Sequence, residues 1–123
     1  MFAAPWDIAL APLDSCGTLI LRGDRFAKVA ASSDPKAATV IANYRDWVHY
    51  EKYPKDESSV LFDTVAAYLA FDEALCEMKT VELVVDDKGF TRPSEKGRPV
   101  RCAMGWKDRA AFEDLLVKAL TTK

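Results

Sequence analysis

At Val81 the apolar period of the chain changes. Before it, apolar residues recur at helical spacings; from there Val81, Leu83 and Val85 alternate with Glu82 and Val84 and run into the turn signal Asp86-Asp87-Lys88-Gly89. Beyond a polar stretch, Val100, Cys102 and Met104 alternate with Arg101 and Ala103. Two period-two runs in a chain otherwise patterned for helices predict an α/β fold. The two runs are expected to pair antiparallel as a long hairpin, with 91–97 at its far end.

The helical part reads in order. Trp6-Asp7-Ile8-Ala9-Leu10-Ala11, closed by Pro12, is expected to be a short buried strand followed by a loop over 13–17. Gly23-Asp24 opens a short helix to about Ala31. Ser33-Asp34-Pro35 supplies a cap and then proline at the first helical position, starting a helix expected to reach about Tyr50. Along that helix Val40, Ile41, Tyr44, Trp47 and Val48 fall on one face and predict a buried stripe. The polar stretch 51–59, with Pro54, reads as a surface loop. It leads to an apolar helix over 63–71, where Val65, Ala66, Ala67, Leu69 and Ala70 predict burial on most sides. The last helix, 108–120, is capped by Asp108 and places Phe112, Leu115, Leu116 and Ala119 on one face. Neither a repeat nor a linker interrupts the chain, and its 123 residues suit a single domain over 1–123.

Charge and cysteine usage limit the function classes. Lys plus Arg total 17 against 19 Asp plus Glu, so no positive excess is available for phosphates or an anionic membrane, and neither nucleic acid nor membrane is expected as a partner. Cys16, Cys76 and Cys102 lie far apart without C-x-x-C spacing, which argues against a disulfide framework and a zinc knuckle and for a reduced, cytoplasmic setting. The stretch 1–13 has no basic n-region and contains Pro5, Asp7 and Pro12, unlike a signal peptide or a membrane span.

Asp63 is the residue that points to chemistry. It is a lone carboxylate after Phe62 at the start of the apolar helix, and a charge held in such surroundings needs either a backbone cap or a cation. Ser58 and Ser59 precede it and fit the capping alternative. Other candidates are weaker. Tyr44 and Trp47 are spaced for core packing, Asp14 for hydrogen bonds to turn amides, and His49 for a helix C-terminus. Cys16 has no neighbouring base to activate it, and Lys52, Lys55, Asp56 and Glu57 form a solvated loop.

Taken in order, Pro12-Leu13-Asp14-Ser15-Cys16, Leu61-Phe62-Asp63-Thr64-Val65-Ala66, the hairpin ending Arg98-Pro99-Val100 and the helix with Phe112-Glu113-Asp114-Leu115-Leu116 resemble the C-terminal part of the inosine-uridine-preferring nucleoside hydrolases. The resemblance covers nearly the whole chain. It implies the C-terminal part of an open sheet with packed helices and an antiparallel hairpin, and calcium-assisted hydrolysis of the N-glycosidic bond of a nucleoside in the complete enzyme. By the same resemblance Asp63 matches the calcium-binding carboxylate and Phe62 the place of a histidine that acts on the leaving base. Phenylalanine cannot transfer a proton; it can stack on the base or serve as a core aromatic. Tyr44 and Trp47 match residues that reach over the base.

The family's acidic D-x-D-x-x-x-D-D run and its asparagine segments have no counterpart here. The chain alone is therefore expected neither to bind calcium tightly nor to hydrolyse nucleosides. The partners implied are a nucleoside in the complete enzyme and either a second copy or the N-terminal half. A non-catalytic scaffold piece with a truncated hydrolase fold, and a small-ligand-binding domain without metal, are the alternatives.

Overall fold

Helical and strand periods sort the chain into two sets of elements. The computed structural model describes residues 4–47 and 49–122, which leaves Val48 outside the described residues. In chain order the elements are β1 (Ala9–Leu10), α1 (Leu13–Cys16), α2 (Gly23–Ala30), α3 (Pro35–Asp46), a 3₁₀ turn (Tyr50–Lys52), α4 (Phe62–Leu69), β2 (Cys76–Val85), β3 (Thr91–Pro93), β4 (Arg98–Trp106) and α5 (Arg109–Thr121). They fall into two compact units. One runs up to Thr18 and resumes over Phe62–Lys107; the other combines Leu19–Leu61 with the chain from Asp108. The fold class is α/β, an open four-stranded sheet with packed helices, as the family resemblance implies.

The first unit holds the sheet, in the order β1-β4-β2-β3. β2 and β4 pair antiparallel with Val81 opposite Val100 and Lys79 opposite Cys102, so the two alternating runs do face each other. Pairing extends well beyond them, because β2 begins at Cys76. The stretch 91–97 is not a distal loop. Its first residues form β3, which pairs with the other edge of β2. The Asp86 turn joins β2 to β3, with Gly89 at φ 84° and the Asp86 carboxylate accepting from the amides of Lys88 and Phe90 at 3.0 and 2.9 Å.

From β3 the chain passes over β2 to reach β4 on its far side. A side chain at Gly97 would place its Cβ 2.5 Å from the Leu83 amide nitrogen, so the crossing needs glycine. Leu83, Val100 and Cys102 are buried on the sheet with Ile8, Leu10, Val81 and Met104 packed beside them.

Three expectations in this unit change. The run 6–11 yields only a two-residue parallel strand, and Trp6 is 68% exposed. The expected loop at 13–17 contains α1, a single helical turn. α4 buries only Val65 and Tyr68, one turn apart, while Ala66, Ala67 and Ala70 face water. Alanine favours helix without requiring cover, so an alanine-rich helix reads as more buried than it is.

The second unit packs Leu21, Val29, Ala37, Ile41 and Val117 into a core, with Phe26, Leu61, Leu116 and Leu120 against it. Both predicted caps form: Asp34 accepts from the Lys36 amide and Asp108 from the Ala111 amide, each at 2.9 Å. α3 stops at Asp46, and its buried side is Ala37 and Ile41, with Val40 46% exposed. On α5 the buried face is Phe112, Glu113 and Val117, leaving Leu115 and Ala119 outside. The rotation follows from Arg25 of α2, which holds Glu113 at 3.0 Å and Asp114 at 2.7 Å and donates to the Ala110 carbonyl. At the other end Lys36 donates to the carbonyls of Ala119 and Thr122, two acceptors that the end of a helix leaves open.

Candidate functional site

Helix α4 begins at Phe62, which puts Asp63 at its second residue, about 200° around the helix from the buried Val65. Asp63 is accordingly exposed rather than buried, and its carboxylate has no hydrogen bond or ion pair among the described residues. Water solvates the charge, so neither a cap nor a cation is needed to keep it there. Ser58 does not cap it: that hydroxyl accepts from the Leu21 amide at 3.0 Å and donates to the Ser59 carbonyl at 2.7 Å. Phe62, 46% exposed, presents part of its ring beside Asp63.

α1 lies against α4 and brings Asp14 into the same neighbourhood. The buried Cys16 thiol is raised above its ordinary value by burial, with Asp63 and Asp14 pushing in the same direction. A thiol held protonated in this way is no nucleophile, as its sequence context predicts. Asp14, expected to bond loop amides, makes no such bond among the described residues and instead lines a cavity of about 590 Å³. That cavity lies over one face of the sheet, walled by Leu10, Val81, Leu83, Cys102 and Met104 with α1 at its edge.

Among the described residues no three His, Cys, Asp or Glu side chains gather closely enough to hold a metal ion. Calcium takes about six to eight oxygens. The residues present therefore do not make a calcium site; Asp63 offers one accessible carboxylate to it. Tyr68, absent from the sequence-based candidates, anchors the other end of α4. It is fully buried, and its hydroxyl accepts from the Leu75 amide at 3.2 Å and bonds Asp72. Asp72 also accepts from the Glu73 and Ala74 amides, an Asx turn legible in Asp72-Glu73 only once the helix end is known.

Tyr44 and Trp47 belong to the second unit and sit in a larger aromatic cluster. Trp47 stacks on Tyr44 (centroids 6.2 Å apart) and on Tyr53 (5.5 Å), while Tyr50 and Phe26 meet Tyr44 edge-on at 5.3 and 6.4 Å. His49 packs edge-on against Trp47, and the Lys55 ammonium lies 3.8 Å from the Tyr50 centroid. Tyr44, Trp47, Tyr50 and Tyr53 recur every third residue, and that spacing was the available signal for the last two. Tyr44 is enclosed by its neighbours, and its hydroxyl is shielded without a hydrogen-bond partner among the described residues. Trp47, 39% exposed, has accessible ring surface.

No protein-family model matches the chain, and no curated protein matches it. A solved structure does: a plant nucleoside hydrolase, with a TM-score of 0.77 over 95% of this chain at 21% identity. The fold is nucleoside-hydrolase-like. The chain spans 42% of the length of that hydrolase, and an identity this low carries the likeness in fold alone. Among the described residues, no helix is long and apolar enough to cross a membrane.

Proposed function

We propose that this chain is the C-terminal portion of a calcium-dependent nucleoside N-ribohydrolase, with Asp63 supplying one carboxylate to a metal whose other ligands come from outside residues 1–123. What supports this reading most is the correspondence of fold with the plant nucleoside hydrolase over 95% of the chain, combined with an exposed Asp63 and a half-exposed Phe62 side by side on the first turn of α4. A carboxylate that serves the chain's own fold would be capped or paired. Asp63 is neither, so it remains available to a ligand.

In this reading Phe62, on the first turn of α4, offers an aromatic face to the leaving base. Phe62 carries no proton, so the enzyme acts on bases that leave unaided or are protonated by another group. Inosine and uridine are the substrates to try first, and the three buried thiols suit a reducing cytoplasm.

The test is a joined protein in which this chain replaces the matching part of the plant hydrolase. Hydrolysis of inosine or uridine is expected, together with a gain for Phe62→His on bases that need protonation. A folded joined protein that hydrolyses no nucleoside would favour the second reading, a non-catalytic scaffold piece. That alternative draws on the absence of any three-residue metal cluster among the described residues.

A further inference from the structure

Phe62 brings no proton to a departing base, and neither do the titratable side chains of α1 and α4. Cys16 is buried, and the buried Tyr68 hydroxyl is committed to the Leu75 amide and to Asp72 at the far end of α4. Asp14 and Asp63 are exposed carboxylates, which in water at neutral pH are charged and have no proton to give. His49, the one histidine of the chain, belongs to the second unit and packs on Trp47. A neutral nucleoside needs such a donor, because its base must take up a proton as the C–N bond breaks or else leave as an anion.

What the first turn of α4 does offer suits positive charge. The Phe62 ring is half-exposed, and an aromatic face attracts a cation laid over it. Asp63 follows it in the chain, and α1, which lies against α4 in the same unit, holds Asp14. Neither carboxylate has a hydrogen bond or ion pair among the described residues. Together they outweigh the roughly half positive charge at the N-terminal end of a helix.

From these observations we infer that the site takes nucleosides whose base already carries a positive charge, such as a pyridinium or an N7-alkylated purine. The inference rests on the nucleoside-hydrolase reading and names its substrate class. With such a substrate, water attacks C1′ of the ribose and the C1′–N bond breaks, its electron pair passing to the ring nitrogen. The base departs neutral, and the surplus proton of the attacking water passes to solvent. No proton has to reach the base, so phenylalanine is no handicap beside it. The ring meets a full charge in the bound substrate and a vanishing one as the bond breaks. Its attraction therefore lowers KM rather than raising kcat, and the neutral product is held less tightly than the substrate.

Binding is tested on the full 123-residue chain and turnover on the joined protein described above. In an NMR titration of the chain, 1-(β-D-ribofuranosyl)pyridinium should shift the Phe62 ring at concentrations about 2–5-fold lower than uridine requires, the scale of one exposed cation–π contact. A Phe62 ring that the pyridinium leaves unmoved overturns the inference. In the joined protein, at mildly acidic pH where 7-methylguanosine keeps its charge, kcat/KM is compared for these two cationic nucleosides and for uridine and inosine. At least one cationic nucleoside should exceed both neutral ones by about tenfold or more, within the roughly 100- to 10,000-fold that a missing general acid costs. Which one does so tells a pyridinium from an alkylated purine. Cationic nucleosides are also the more labile in water, so Phe62→His is the control: by giving neutral bases a donor it should narrow the cationic-to-neutral ratio at least about threefold. A ratio that ignores Phe62→His overturns the inference, as does turnover of uridine or inosine at least as efficient as that of both cationic nucleosides; either result keeps the hydrolase reading. A folded joined protein that hydrolyses none of the four removes the reading and the inference with it. The titration and the four-substrate comparison use the unsubstituted sequence, so a folding defect in Phe62→His does not decide the outcome.

Discussion

At the scale of single residues, accessibility decides what Asp63 can do. Lying in the first turn of α4, it gains a few tenths of a kcal/mol from the helix dipole and no cap bond. Asp63→Asn should therefore change folding stability by less than about 0.5 kcal/mol in urea titration; a larger loss would mean that the carboxylate serves the fold. Tyr44 is the reverse case. A shielded hydroxyl without a partner is a liability of about 1–3 kcal/mol, so Tyr44→Phe should leave the chain as stable or make it more so by the same assay. Neither state was legible in sequence. Phe62-Asp63 looks buried because its neighbours are apolar, yet exposure depends on which side of α4 packs within its own unit, and two alanines gave no sign of that. Helical spacing puts Tyr44 and Trp47 on an expected buried stripe, whereas the chain leaves the helix at Asp46 and folds these two aromatics onto Tyr50 and Tyr53.

At the scale of elements, one crossing and one clamp hold the units in shape. Replacing Gly97 by alanine would drive a Cβ into the Glu82–Leu83 backbone, which has no flexible end to yield. A loss of roughly 1–3 kcal/mol is expected, with the damage centred on β2 around Leu83 and on its neighbours β3 and β4 in amide exchange. In the other unit the Arg25 hydrogen bond holds Asp114 below the ordinary aspartate range. With a depressed folded-state value, the unfolded chain takes up this proton first as the pH falls. The contribution is thus complete above the ordinary aspartate value and disappears as the pH drops through the lowered one. Arg25→Gln should return Asp114 to an ordinary titration by NMR and flatten that part of the acid-unfolding curve; an unchanged Asp114 titration would show that the clamp does not form in solution. The period change at Val81, the Asp86 turn and the Asp34 and Asp108 caps were all legible, because each is a local pattern with a local cause. The crossing over β2 and the rotation of α5 were not. They depend on Gly97 meeting Leu83 and on Arg25 meeting Glu113, contacts between residues that no window along the chain contains.

At the scale of the molecule, the ordered motifs around Asp14, Asp63 and Arg98 pointed to a nucleoside-hydrolase-like fold, and the fold agrees. Under the proposed function, what the chain does with that fold turns on metal ligands that the described residues do not gather. Calorimetric calcium titration of two preparations, the chain alone and the chain joined to the remainder of the plant hydrolase, tests this most directly. With no three metal-ligating side chains gathered among the described residues, against a demand for about six to eight oxygens, the chain alone should show no stoichiometric binding. The joined protein should bind stoichiometrically, and Asp63→Asn should weaken it by at least about tenfold, the scale on which even indirect supports of a metal matter. Stoichiometric binding by the chain alone, or binding by the joined protein that ignores Asp63→Asn, would contradict the role assigned to Asp63.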